Sequence, residues 1–156
     1  IVKKSDSGSF TANELSQLYQ FHLWQNKELS KGIELPPTFV EKCHSAFTSQ
    51  KTHVSLHHKD VMTALLSLGL DPKEKVVTDK GFQLDACVEI DGKKAGVRVD
   101  GPHMFVEETP LGKANLRRRQ VFFVEGIRLI SIPHWDWSEL SPRQQENYLR
   151  RQLGMN

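Results

Sequence analysis

The stretch that most constrains this chain runs from Phe82 to Phe105: FQLDACVEI, then DG, then KKAGVRVDGPHMF. Asp-Gly between two alternating apolar runs predicts a two-residue hairpin turn, because both turn positions need positive φ. With Asp91 and Gly92 in the turn, Ile90 pairs with Lys93 and the register follows outward. Val88 then meets Ala95, Ala86 meets Val97 and Leu84 meets Val99 on one face, while Glu89 meets Lys94 and Asp85 meets Arg98 on the other. Apolar opposes apolar and acid opposes base in a single register. The second strand leaves through Asp100, Gly101, Pro102 and His103, so the question of function centres on the Asp85, Arg98, Asp100 face.

The flanking segments predict helices on one side and a crossover unit on the other. Residues 1–10 are polar and Ser-rich and read as loose. Thr11 followed by Glu14 is a capping box, and Leu15, Leu18, Tyr19, Phe21, His22 and Leu29 supply a helical stripe. A second helix is expected from Thr38 to about Gln50, with Phe39, Val40, Cys43 and Phe47 inward. A third starts at Ser55, with Val61, Leu65, Leu66 and Leu68 buried and Gly69 as its stop. Asp71-Pro72 opens a polar connector. After His103 a loop leads to a helix from about Lys113 to Glu125, and Gly126 ends it. IRLISIP then reads as a strand parallel to the second hairpin strand, because a strand, a helix and a strand form a crossover unit. HWDW follows it, and Ser141-Pro142 opens a last helix with Tyr148, Leu149 and Leu153 inward and Arg143, Arg150 and Arg151 outward.

Composition excludes more than it selects. The chain has 156 residues, with 38% hydrophobic and 26% charged, the size of one ordinary domain with room for a helical extension. Ile1 in place of a methionine reads as a piece of a longer chain or a processed form. No apolar run approaches the roughly 18 residues of a membrane span, and no signal peptide is visible. Cys43 and Cys87 lack metal or redox spacing and read as free thiols of a reducing compartment. The net charge of +2 is uninformative, but from Lys113 onward eight Lys or Arg stand against four Asp or Glu.

The run VRVDGPHMF, a basic helix containing LRRR, the segment GIRLISIPHWDW and the closing YLRRQL together resemble the RAP domain over about residues 55–153. That resemblance divides the chain into a helical N-terminal extension, 1–54, and a RAP-like α/β domain, 55–156. It implies a PD-(D/E)XK endonuclease-like mixed sheet, a hairpin plus a parallel strand, with flanking helices. It also implies the C-terminal part of a larger mitochondrial or plastid protein that binds rRNA or mRNA in processing, stability or ribosome and ribonucleoprotein assembly.

Enzymes of that fold cut nucleic acid with a divalent metal, and the corresponding residues here are Asp85, Asp100 and His103, with Mg²⁺ as the cofactor only in that case. The position two before Asp100, commonly Glu in that pattern, is Arg98. A guanidinium opposite Asp85 would pair with its carboxylate and repel a divalent cation. The expectation is therefore a scaffold without metal or catalysis, with a metal-dependent endoribonuclease and a protein-interaction module as alternatives. RNA contact is expected on the crossover helix, where Lys113, Arg117, Val121 and Val124 form one side with Arg118 and Arg119 beside it, and Leu116, Phe122 and Phe123 face the sheet. Arg150 and Arg151 are further candidates, and His103 fits either a phosphate contact or a loop cap. Of Trp135 and Trp137, at least one is expected to be a buried anchor. His57 and His58 read as surface or turn residues.

Overall fold

A computed structural model of the chain describes residues 10–29, 32–50, 55–102, 105–106, 109–110 and 112–155. The Ser-rich start and His103 lie outside them. The elements in order are α1 (Ala12–Glu28), α2 (Pro37–Thr48), α3 (His58–Ser67), β1 (Lys73–Val77), β2 (Gln83–Ile90), β3 (Lys93–Asp100), β4 (Phe105–Val106), β5 (Thr109–Pro110), α4 (Gly112–Glu125), β6 (Arg128–Pro133), α5 (His134–Ser138) and α6 (Pro142–Leu153). The fold is α/β, with a four-stranded mixed sheet of order β1-β2-β3-β6 and helices on both faces; β4 and β5 form a separate two-stranded ladder.

The hairpin forms as its sequence dictates. Asp91 and Gly92 take φ of 50° and 74°, and the ladder runs from Ile90↔Lys93 to Ala86↔Val97. Strand β6 lies parallel to β3, from Ala95↔Arg128 to Asp100↔Pro133. The polar connector after Asp71 is not a loop: Lys73–Val77 is an edge strand antiparallel to β2. Its charged residues are mostly exposed, as on strand edges that blunt further pairing. That solvated edge is why KEKVV lacks an apolar signature.

Two apolar layers sandwich the sheet. The first joins Ala86, Val88, Val97, Val99, Ile130 and Ile132 to Val61 and Leu65 of α3, Trp137 of α5 and Leu149 and Leu153 of α6. The second joins Phe82, Leu84 and Leu129 to Leu15, Tyr19 and Leu23 of α1, Cys43 and Phe47 of α2, and Val121 of α4. Aromatic rings tie it together, with Tyr19–Phe47 and Phe47–Phe82 centroids both 5.3 Å apart. The N-terminal helices thus close one face of the sheet. Their connector is held by Gln25, which is fully buried and bonds both the amide and the carbonyl of Ile33.

The capping box at Thr11 and Glu14 is present, as is the Ser141-Pro142 start of α6. Two of these helix faces differ from expectation. Phe21 and Leu29 are half-exposed while Leu23 is buried, and Leu66 faces solvent. Helix α3 begins at His58, not Ser55, and His58 itself is buried, its Nε2 3.0 Å from Glu74 of β1. A partner on the unrecognised edge strand is what brings this histidine inside.

Candidate functional site

Asp85, Arg98 and Asp100 do come together, but not in the arrangement that strand counting implies. Leu84 belongs to the second apolar layer and Ala86 to the first, although residues two apart in a regular strand share a face. The change happens at Asp85. The β1–β2 register steps from Glu74↔Ala86 to Val76↔Leu84, and the β2–β3 register begins at Ala86↔Val97, so Asp85 has no ladder partner on either side. Lys75, at the same level of β1, takes φ +51°. The Asp85 carboxylate fills the break: the Val99 amide donates to its Oδ2 at 2.7 Å. Burial raises the Asp85 pKa; the Val99 bond, Arg98 and His58 oppose the rise, and Asp100 adds to it.

Arg98 does not pair with Asp85. Its Nε donates to Oδ1 of Asp100, two residues along the same strand, at 3.1 Å. Asp100 is 2% exposed and the Arg98 side chain 14%, so this is a nearly buried ion pair. The physical reason is the irregularity at Asp85. Its carboxylate is drawn to the β3 backbone, and Arg98 is left to the carboxylate beside it on its own strand face.

Helix α4 is rotated relative to the sequence expectation. Val121 is fully buried and Val124 packs on the second layer, whereas Phe122 and Phe123 are 60% and 50% exposed. The layer under α4 is tight: a Cβ on Gly96 would lie 3.1 Å from Leu84 Cδ1 and 3.2 Å from Leu129 Cδ1. Arg117 stands one turn before Val121 and therefore shares its inward side. It lies within electrostatic range of Arg98, Asp100 and Asp85, and burial and Arg98 hold its pKa down at about 10 while the two acids oppose the fall. Arg117 is thus half-buried and feels the charges of this cluster, whereas its neighbours in sequence, Arg118 and Arg119, are exposed.

That outer face is carried by Arg118 and Arg119, both exposed. With Phe122 they line an open groove of about 630 Å³, whose other wall is Arg128, Leu129, Ile130 and Ser131 of β6 and Gln152 of α6. Strand β6 ends the sheet among the described strands, so its outer edge faces this groove. Arg128 and Phe122 are additions that sequence reasoning missed. Arg128 was legible as the first polar residue of IRLISIP once that strand is an edge. Lys113 lies on the first turn of α4, with its side chain outside the described residues. Arg150 and Arg151 are exposed in the last turn of α6, where cations favour the helix dipole, and do not line the groove.

Trp137 is fully buried and Trp135 partly so. Asp136 accepts a bond from the Tyr148 hydroxyl at 3.3 Å; burial first, and then the Asp136 charge and this bond, push the Tyr148 pKa up to about 12. This aromatic segment is an anchor between β6 and α6. Cys43 and Cys87 are free thiols. Among the described residues no three His, Cys, Asp or Glu side chains are grouped to hold a metal ion, and no helix is long and apolar enough to cross a membrane. No protein-family model and no curated protein matches the chain.

Proposed function

We propose that the chain binds RNA, and that its binding surface is the outer face of α4 with the edge of β6. The observation that carries this is the convergence of Arg118, Arg119 and Arg128 around an open groove containing the exposed ring of Phe122. Guanidinium groups contact phosphates and release counterions, and an exposed aromatic ring offers a stacking surface for an unpaired base. The hairpin, parallel strand and crossover helix agree with the RAP resemblance, and with it the PD-(D/E)XK-like scaffold. On that resemblance the setting is a mitochondrial, or alternatively plastid, ribonucleoprotein engaged in RNA processing or ribosome assembly. The metal-dependent endoribonuclease reading has less support: the Asp100 carboxylate is committed to Arg98 and one oxygen of Asp85 to the Val99 amide.

The test is retention of a labelled single-stranded RNA over a salt series. The double variant Arg118→Glu, Arg119→Glu is expected to weaken binding at least tenfold and to flatten the dependence of log affinity on log salt by about 0.7 for each phosphate no longer neutralised. Wild-type protein that shows no salt-sensitive retention overturns the reading. Capture of a protein by the exposed Phe122 and Phe123 would then favour the interaction module.

A further inference from the structure

The groove beside α4 has two walls of different character. On α4, Arg118 and Phe122 stand one turn apart, so a cation and an aromatic ring share one side of the helix. The facing wall is the outer edge of β6. Leu129 and Ile130 line it although they are only 6% and 5% exposed and send their side chains to opposite layers, so they show the groove chiefly backbone. Apart from the ladder with β3, residues 128–132 make no backbone hydrogen bond among the described residues. A strand edge of this kind presents a row of open N–H and C=O groups. Two half-buried side chains extend the row, the hydroxyl of Ser131 and the carboxamide of Gln152 on α6, and neither has a hydrogen-bond partner among the described residues. Arg128 reaches the Gln152 end of the groove: its Nη1 lies 3.8 Å from the point where a Cβ on Gly154 would stand.

We infer that Gln152 and Ser131, with the open edge of β6, select the base of an unpaired nucleotide held in this groove, an inference that rests on the outer-face reading and adds a specificity element to it. Arginines recognise the phosphates of every nucleotide alike. Neutral donors and acceptors fixed on a strand and a helix tell one base from another, because each base carries its own pattern on its hydrogen-bonding edge. A carboxamide offers an acceptor and donors in one plane, which matches an adjacent donor and acceptor on a base. A base stacked on Phe122 would turn that edge to the facing wall, with Arg128 beside Gln152 for a neighbouring phosphate. An added peptide strand is the other use of such an edge. The groove exposes β6 only over Arg128–Ser131, about 13 Å of strand and less than a usual pairing length, and three of its lining residues are arginines while none is acidic. Those features favour a phosphate-bearing chain.

The experiment is retention of oligo(A), oligo(C) and oligo(U) of one length by the whole chain, each over a salt series. Wild-type protein is expected to prefer one of the three by about tenfold, the scale of one two-bond base contact. Gln152→Leu should bring the three affinities together, and Ser131→Ala should narrow the gap in part. Both should keep the wild-type dependence on salt, because neither removes a cation. Gln152→Ala gives the same readout should the leucine variant fold poorly. A preference that survives in Gln152→Leu combined with Ser131→Ala comes from stacking alone and overturns the proposal. Salt-sensitive retention that is equal for all three oligonucleotides also overturns it, and leaves the outer-face reading standing. Loss of all retention defeats the outer-face reading and the proposal with it. Binding of an oligoglutamate peptide in place of RNA assigns the edge to a peptide strand and overturns the proposal too.

Discussion

The two layers on either side of this sheet end differently, and the contrast separates scaffold from site. The first layer is apolar from the hairpin turn to the ends of β3 and β6, and Trp137 plugs it with no exposed surface. The second is equally apolar around Phe82, Leu84 and Val121, but its far end is filled by Asp85, Arg98 and Asp100. A buried ion cluster is weak support for stability, because desolvation consumes most of what the charges gain from one another. Its presence next to a core that closes without any ion pair marks the second layer as the one to test for function.

The sharpest test of that contrast is to remove the plug of the first layer. Trp137→Ala leaves a large hole among Ile132, Leu149 and the other residues of that layer, and large-to-small changes of this kind cost about 3–5 kcal/mol. Chemical denaturation measures it. Trp137→Phe should lose much less, because the indole N–H has no acceptor among the described residues and so no hydrogen bond is forfeited. A cost for Trp137→Ala below about 1 kcal/mol would mean that α5 and α6 are loosely attached and the first layer is not the scaffold.

A slightly smaller effect is expected at the ion pair of the second layer. Arg98→Ala strands a carboxylate that is 2% exposed, and breaking a buried pair from one side costs about 3 kcal/mol. Replacing both partners with Arg98→Met and Asp100→Leu should restore most of that loss, since no unpaired charge remains. If the double variant is as unstable as the single one, the pair is a stabilising element and the contrast between the layers fails.

How far the sequence carries a reader follows the same division. The hairpin was legible because turn chemistry and alternation agree, and the parallel strand because IRLISIP sits at crossover distance from it. The capping residues Thr11, Glu14 and Ser141 act locally and so are visible locally. The edge strand Lys73–Val77 was not legible, because an exposed edge needs no apolar face. The face of α4 differs from expectation for a related reason: aromatic residues suggest burial, but here Val121 and Val124 pack on the second layer and Phe122 and Phe123 face outward. Asp85 is the most instructive case. Counting from the turn gives a correct register as far as Ala86↔Val97, then fails at the next residue, since no local signal announces a break that a side chain fills.

That break yields the mildest prediction. Burial raises the Asp85 pKa above its ordinary value, so the folded chain holds that proton more tightly than the unfolded chain does. A carboxyl raised in this way favours folding below its unfolded pKa, and the advantage is lost as pH rises through the interval up to the folded value. At neutral pH its ionised form is a net burden, partly offset by the Val99 amide, Arg98 and His58. Asp85→Asn keeps an oxygen to accept from Val99 and removes the titration. The variant should therefore melt at or slightly above wild type at neutral pH, and it should lack the downward slope that wild type shows on leaving the acid range. Melting temperatures at a series of pH values read both. An unchanged slope would assign the titration to another group and would leave Asp85 as a hydrogen-bond acceptor alone, with no electrostatic share in the cluster.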